Sequence, residues 1–76
     1  MNRFDKLFGV RGEAQVRFLD GEFQVVSPGE FVRCAVTGDP VQLADLRYWS
    51  VELQEAYVSA EVSLNRYLEV VRKRES

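Results

Sequence analysis

The 76 residues leave room for one domain with one core, because a chain this short buries only about 60% of the surface it exposes when unfolded. The single cysteine, Cys34, cannot close an intrachain disulfide, and the absence of histidine removes the usual ligand set for zinc, copper or haem, so neither a metal nor a cofactor is expected. Ten basic against twelve acidic side chains give a formal charge of −2, an ordinary interspersed surface that argues against nucleic acid or an anionic membrane as the main partner.

In chain order, Asn2-Arg3-Phe4-Asp5-Lys6-Leu7-Phe8 carries charges on both sides of its apolar residues, and no continuous hydrophobic run follows. Neither a secretion signal nor a membrane span is read, and the lone thiol makes the cytoplasm the expected compartment. Residues 1–13 read as a loose lead-in and 14–74 as the domain. Gly9-Val10-Arg11-Gly12 has the glycines and the charge of an anion cradle. It lacks the following helix and the lysine-serine pair of a phosphate loop, which favours a flexible connection.

From Ala14 the pattern alternates, with Ala14, Val16 and Phe18 on one side and Gln15, Arg17 and Leu19 on the other, the period of a half-buried strand. Asp20-Gly21 interrupts it as a two-residue hairpin turn with positive φ at both positions. The implied register pairs Leu19 with Glu22, Phe18 with Phe23, Arg17 with Gln24 and Val16 with Val25. Ser27-Pro28-Gly29 reads as a second turn, with glycine supplying positive φ. A third strand over Phe31 to Val36 should point Val32, Cys34 and Val36 inward, and Thr37-Gly38-Asp39-Pro40 ends it.

Val41 to Leu46 is less regular, whereas Tyr48, Trp49 and Val51 suit a further strand. Val51, Leu53, Glu55 and Tyr57 alternate, which favours a short extended return beside Tyr48-Trp49; the helix propensity of Glu52 to Ala56 supports a helical hairpin instead. Ser59 before Ala60-Glu61 is a helix start. Ala60, Leu64, Tyr67, Leu68 and Val71 then recur on one face of an amphipathic helix near residues 60–73, whose basic end, Arg72-Lys73-Arg74, complements the negative helix terminus. The expected fold is α+β: a small antiparallel sheet of four to five short strands packed by one C-terminal amphipathic helix, with aromatics between them.

Catalytic chemistry is poorly supplied. The residue most used as a base near neutrality is absent, and Cys34 in an apolar strand behaves as a small hydrophobe rather than a thiolate. Glu52 and Glu55 share a face only in a helix, and Asp39 and Asp45 suit a turn and a local cap. Arg17, Phe31, Arg33, Arg47, Tyr48 and Trp49 form the candidate binding face, an arginine and aromatic mix that suits either a protein interface or a single-stranded nucleic acid.

Arg33-Cys34-Ala35-Val36-Thr37-Gly38-Asp39-Pro40, continued through Leu46-Arg47-Tyr48-Trp49-Ser50-Val51 to Gln54-Glu55-Ala56-Tyr57, resembles a family of short bacterial proteins, chiefly alphaproteobacterial, that is a domain of unknown function. The resemblance also takes in Phe18-Leu19-Asp20-Gly21 and Pro28-Gly29, nearly the whole chain, and implies a bacterial, cytoplasmic protein without implying an activity. Cys34-Ala35-Val36-Thr37-Gly38 is similar as well to the Cys-x-x-Cys-Gly knuckle of zinc ribbons, with Thr37 in the place of the second thiolate. That similarity implies a ribbon that has lost its metal and holds its knuckle by packing. The functional expectation is a non-catalytic protein-interaction module whose partner is another protein or a second copy, with nucleic-acid binding as the alternative.

Overall fold

The computed structural model describes residues 12–75. Strand β1 (Gln15–Leu19) and strand β2 (Glu22–Ser27) form an antiparallel hairpin with Leu19 opposite Glu22, Phe18 opposite Phe23, Arg17 opposite Gln24 and Val16 opposite Val25, the register that alternation requires. The turn differs from expectation: Gly21 alone is left-handed, at φ +75°, and Asp20 is not. Beyond Val16 the register slips and Gln15 faces Ser27, so Val26 is the extra residue of a bulge and is 65% exposed.

Gly29 also serves a purpose other than the expected one, since its φ is not in the left-handed region. The chain entering β1 runs against the turn instead, with the Ala14 N–H donating to the Phe31 carbonyl at 2.7 Å and the Glu30 N–H to the Gly12 carbonyl at 2.9 Å. A Cβ on Gly29 would overlap the backbone of Glu13 and Ala14, so close approach of two backbones requires glycine here. Glu13 already bridges to Phe31, so pairing begins before the alternation at Ala14; residues 1–11, including Gly9 to Arg11, lie outside the described residues.

Strand β3 (Phe31–Arg33) pairs with β4 (Pro40–Gln42), and β5 (Tyr48–Ser50) pairs with β6 (Glu55–Tyr57), both antiparallel. A 3₁₀ turn at Leu43–Asp45 links the two ladders. The α+β reading holds, but among the described residues the strands number six in three two-stranded ladders, instead of four or five in one sheet. Four of them are only three residues long, and neighbouring ladders meet through single contacts such as the Cys34 to Ala56 bridge. Within 51–58, residues 51–54 form a turn and Glu55–Tyr57 is the short extended return that alternation favours, with Trp49 opposite Ala56. Val32 and Cys34 point inward as expected, whereas Val36 is 51% exposed, because the strand ends at Arg33, Cys34 makes only a single bridge and residues 35–37 form a turn.

The core is Ala14, Phe18, Val32, Cys34, Val41, Leu46, Ala56 and Tyr57, with Val16, Phe23, Leu43, Trp49 and Val62 packed against it. Helix α1 (Ala60–Glu75) begins where the sequence places it: the Ser59 hydroxyl accepts from the Val62 N–H at 3.2 Å. Its rotation corrects the expected packing. Leu64, Tyr67 and Leu68 are 56%, 63% and 44% exposed, while Val62 packs on the core and Ser63 and Val70 line the cleft beside β5 and β6. At about 100° per residue the apolar stripe lies roughly a third of a turn away from the face that touches the ladders.

The two hairpins are welded by Trp49 and Gln54. Trp49 stacks on Phe18 (centroids 6.0 Å apart, planes at 28°) and meets Phe23 edge-on at 5.7 Å, while its indole N–H donates to the Leu19 carbonyl at 2.9 Å. Gln54 treats the free edge of β1 as a strand would: its Oε1 accepts from the Phe18 N–H at 3.0 Å and its Nε2 donates to the Phe18 carbonyl at 2.8 Å. Its backbone is left-handed, at φ +56°. Gln54→Ala is expected to lower unfolding stability by about 2 kcal/mol, from the two part-buried hydrogen bonds to Phe18 worth about 1 kcal/mol each, the third, exposed one from Nε2 to the Val51 carbonyl at 2.7 Å adding little. Gln54→Gly loses the same bonds but relieves the backbone, so it should be about 1 kcal/mol less damaging. Urea denaturation of the two variants measures the difference, and equal losses would contradict the strained-clamp account.

Candidate functional site

The six sequence-selected residues fall into separate groups. Arg17 is exposed on the side of β1 opposite Phe18, and so faces away from Trp49. Phe31 and Arg33 form a local pair, with the guanidinium 5.1 Å from the ring centroid. Arg33 also donates to the Gly38 carbonyl at 3.0 Å and lies 4.0 Å from Glu13. Arg47, Tyr48 and Trp49 come together on another ladder, where they line an open groove with Leu19, Asp20 and Val51. The Trp49 ring is engaged on Phe18 and Phe23 and its N–H is spent on Leu19, which leaves Tyr48 and Arg47 as the exposed members of that group.

Around Cys34 the chain takes a knuckle shape. The Gly38 N–H donates to the Cys34 carbonyl at 2.9 Å with Gly38 at φ +80°, and the Cys34 N–H donates to the Asp39 carbonyl at 2.8 Å. The Thr37 N–H points at the Cys34 Sγ at 3.4 Å, and the Asp39 N–H donates to the Thr37 hydroxyl at 3.2 Å. Burial pushes the thiol up, but hydrogen bonds from the Thr37 side chain and from the backbone of Thr37, Val36 and Val58 outweigh it and hold Cys34 below the usual thiol range. A zinc ion needs four ligands, and the residues do not fit one: Cys34 supplies a single thiol, and no three His, Cys, Asp or Glu side chains gather among the described residues.

The carboxylates singled out in the sequence do not work as a pair. Glu55 receives Arg66 through Nε at 3.1 Å and Nη2 at 3.3 Å, and accepts from the Tyr57 hydroxyl at 2.9 Å. Glu52 instead takes Arg74 at 2.7 Å. Arg66 also reaches Glu69 at 2.7 Å, and its guanidinium, with help from Lys73, holds the Glu69 carboxyl below its usual range. This chain of charges fixes α1 on the β5–β6 ladder with Arg66 turned toward it, a role no sequence signal announced because its members are up to 14 residues apart.

The cleft between ladder and helix holds about 180 Å³ and is lined by Trp49, Ser50, Leu53, Tyr57, Ser63 and Tyr67 among others. That is below the roughly 300–1,000 Å³ typical of small-molecule sites. Beside it, sharing Trp49 and Ser63, opens the groove of Arg47, Tyr48 and Val51, which is larger at about 450 Å³ but lies open to solvent. Tyr67 joins this area to the exposed stripe of α1. Tyr48, Val51, Leu64, Tyr67 and Leu68 are its exposed apolar neighbours on β5 and α1, with Leu68 on the far flank of the helix, where it lines a further groove with Val36.

Among the described residues, three two-stranded ladders and one helix, with open grooves in place of an enclosed cavity, define a small α+β fold. The chain belongs to a family of uncharacterised proteins conserved in bacteria, DUF2093, whose model matches residues 25–66, more than half of its length. No curated protein and no solved structure gives a significant match. Among the described residues no helix is long and apolar enough to cross a membrane.

Burial, the hydrogen bond to Glu55 and the Glu55 charge raise Tyr57 from the ordinary 10 to about 12, against the opposing pull of Arg66. The folded state therefore favours the neutral phenol. Its stabilisation is complete below pH 10 and is lost as pH climbs toward 12, by up to about 2–3 kcal/mol. Tyr57→Phe should flatten that alkaline fall in a set of denaturation curves, and an unchanged slope would show that another group causes it. Cys34 is 2% exposed, so a thiol reagent should modify it at least about 100-fold more slowly in the native protein than in denaturant. Rapid native labelling would instead mark the thiol as available for chemistry.

Proposed function

We propose that the protein is a non-catalytic protein-interaction module of the bacterial cytoplasm, docking a protein partner through Tyr48, Val51, Leu64, Tyr67 and Leu68. The observation that carries this reading is the inverted polarity of α1: Arg66 is turned to the ladder and tied to Glu55, while three large apolar side chains are turned to solvent. Monomeric surfaces rarely gather such residues without a use for them, and tyrosines on a rigid element suit interface anchors.

The non-catalytic part is supported by a sequence without histidine, by the burial of Cys34, and by the pairing of Glu52 and Glu55 with arginines. A single, buried thiol agrees with a reducing compartment. Nucleic acid is the less favoured occupant, since Trp49 and Arg33 already spend their groups within the fold.

A photo-crosslinking side chain placed at Tyr48, Tyr67 or Arg17 in living cells tests the proposal. Protein adducts are expected at Tyr48 and Tyr67, resistant to nuclease, with none at the control position Arg17. Adducts that vanish on nuclease treatment, or equal yields at all three positions, would overturn it.

A further inference from the structure

The helix surface has an internal symmetry that narrows the choice of partner. Ala60, Leu64, Tyr67 and Val71 follow one another at alternating spacings of four and three, and Leu68 widens the stripe beside Tyr67. The two ends of this stripe carry opposite charge: Glu61 lies in the first turn, and Arg72, Lys73 and Arg74 lie in the last. A surface that is apolar in the middle, acidic at one end and basic at the other is complementary to itself when turned end over end.

Resting on the interaction reading above, we propose that this stripe is covered by the same helix of a second copy, packed antiparallel about a twofold axis that passes between Tyr67 and Leu68. That axis sets Tyr67 of each copy against Leu68 of the other, and Leu64 against Val71, so apolar meets apolar along the seam. It also brings Glu61 of each copy to the level of Arg74 of the other, diagonally across the seam, within reach of a long arginine side chain that each copy also holds against its own Glu52 at 2.7 Å. The negative end of one helix then lies beside the positive end of the other. A parallel pair would bring the two basic ends together and forfeit this match, so charge selects the orientation.

A twofold pair uses one patch on both partners, which this arrangement satisfies with no residue outside α1. The contact area is modest. A 16-residue helix is about 24 Å long, and one helix pair of that length buries less than the roughly 1,600 Å² of a standard interface. The dimer is therefore weak, with dissociation in the micromolar range.

Sedimentation of the full chain from about 1 to about 500 µM spans that range. The expected result is a mass that rises from monomer toward dimer, a dissociation constant raised at least about tenfold by Tyr67→Asp, and no change from Gln24→Asp, exposed on β2 opposite Arg17 and away from the helix. Cysteine pairs read the orientation: a mixture of Glu61→Cys and Arg74→Cys chains should be joined by a short bis-maleimide linker, while Glu61→Cys alone should not link to itself. A monomer at every concentration, or self-linking at position 61, overturns the proposal. So does loss of the dimer on deleting residues 2–11, which would make the segment carrying Phe4, Leu7 and Phe8 the responsible element. A monomer that still gives protein adducts from Tyr67 in cells would sink self-association and leave the interaction reading standing.

Discussion

The arrangement depends on how two hairpins, neither stable alone, are held face to face. A two-stranded ribbon buries one face at most and needs a covering layer to persist in water. For β1–β2 that layer is the β5–β6 ladder, and the contact is made by Trp49 lying on Phe18 and Phe23 while Gln54 closes the edge of β1. The aromatic contact supplies apolar burial without direction, and the glutamine supplies direction with little burial. Together they set both distance and register, and the knuckle and β3–β4 then fill the space around Val32, Cys34 and Ala56.

The helix is added by different means. It meets the second hairpin through a hydroxyl cap at Ser59, through Val62, and through the Tyr57–Glu55–Arg66–Glu69 chain of hydrogen bonds. Polar groups thus do the docking that apolar groups usually do, since a half-buried guanidinium with two carboxylate partners has its hydrogen bonds satisfied where it stands. Leu64, Tyr67 and Leu68 of the same helix remain exposed, which is why the functional reading falls on α1 rather than on a cavity.

Much of this was legible from residue order alone, for identifiable reasons. The β1–β2 register follows from strict alternation about Asp20-Gly21, and Ser59 marks the helix start through a side chain that can reach only its own next turn. Local patterns reveal local bonds. Gln54 was invisible because its partner, Phe18, is 36 residues away and because a left-handed glutamine has no sequence signature. Gly29 was recognised as a turn residue, yet its necessity comes from Ala14 passing behind it, a tertiary fact. Periodicity located the stripe of Leu64, Tyr67 and Leu68 without saying which way it faces, and of the candidate face only Arg47, Tyr48 and Trp49 ended up lining one groove.

The Gln54 clasp has a mechanical implication. Because the edge of β1 is closed by one side chain and not by a neighbouring strand, the two ribbons can part like the covers of a book, with every ladder bond inside each cover left intact. Opening of that kind breaks two hydrogen bonds to Phe18 and one from the indole to Leu19, and unstacks that indole, a far smaller event than unravelling a sheet. The amide proton of Phe18 is therefore a natural reporter of how often the book opens, and its neighbours bonded across the β1–β2 ladder report only on the loss of the ribbon itself.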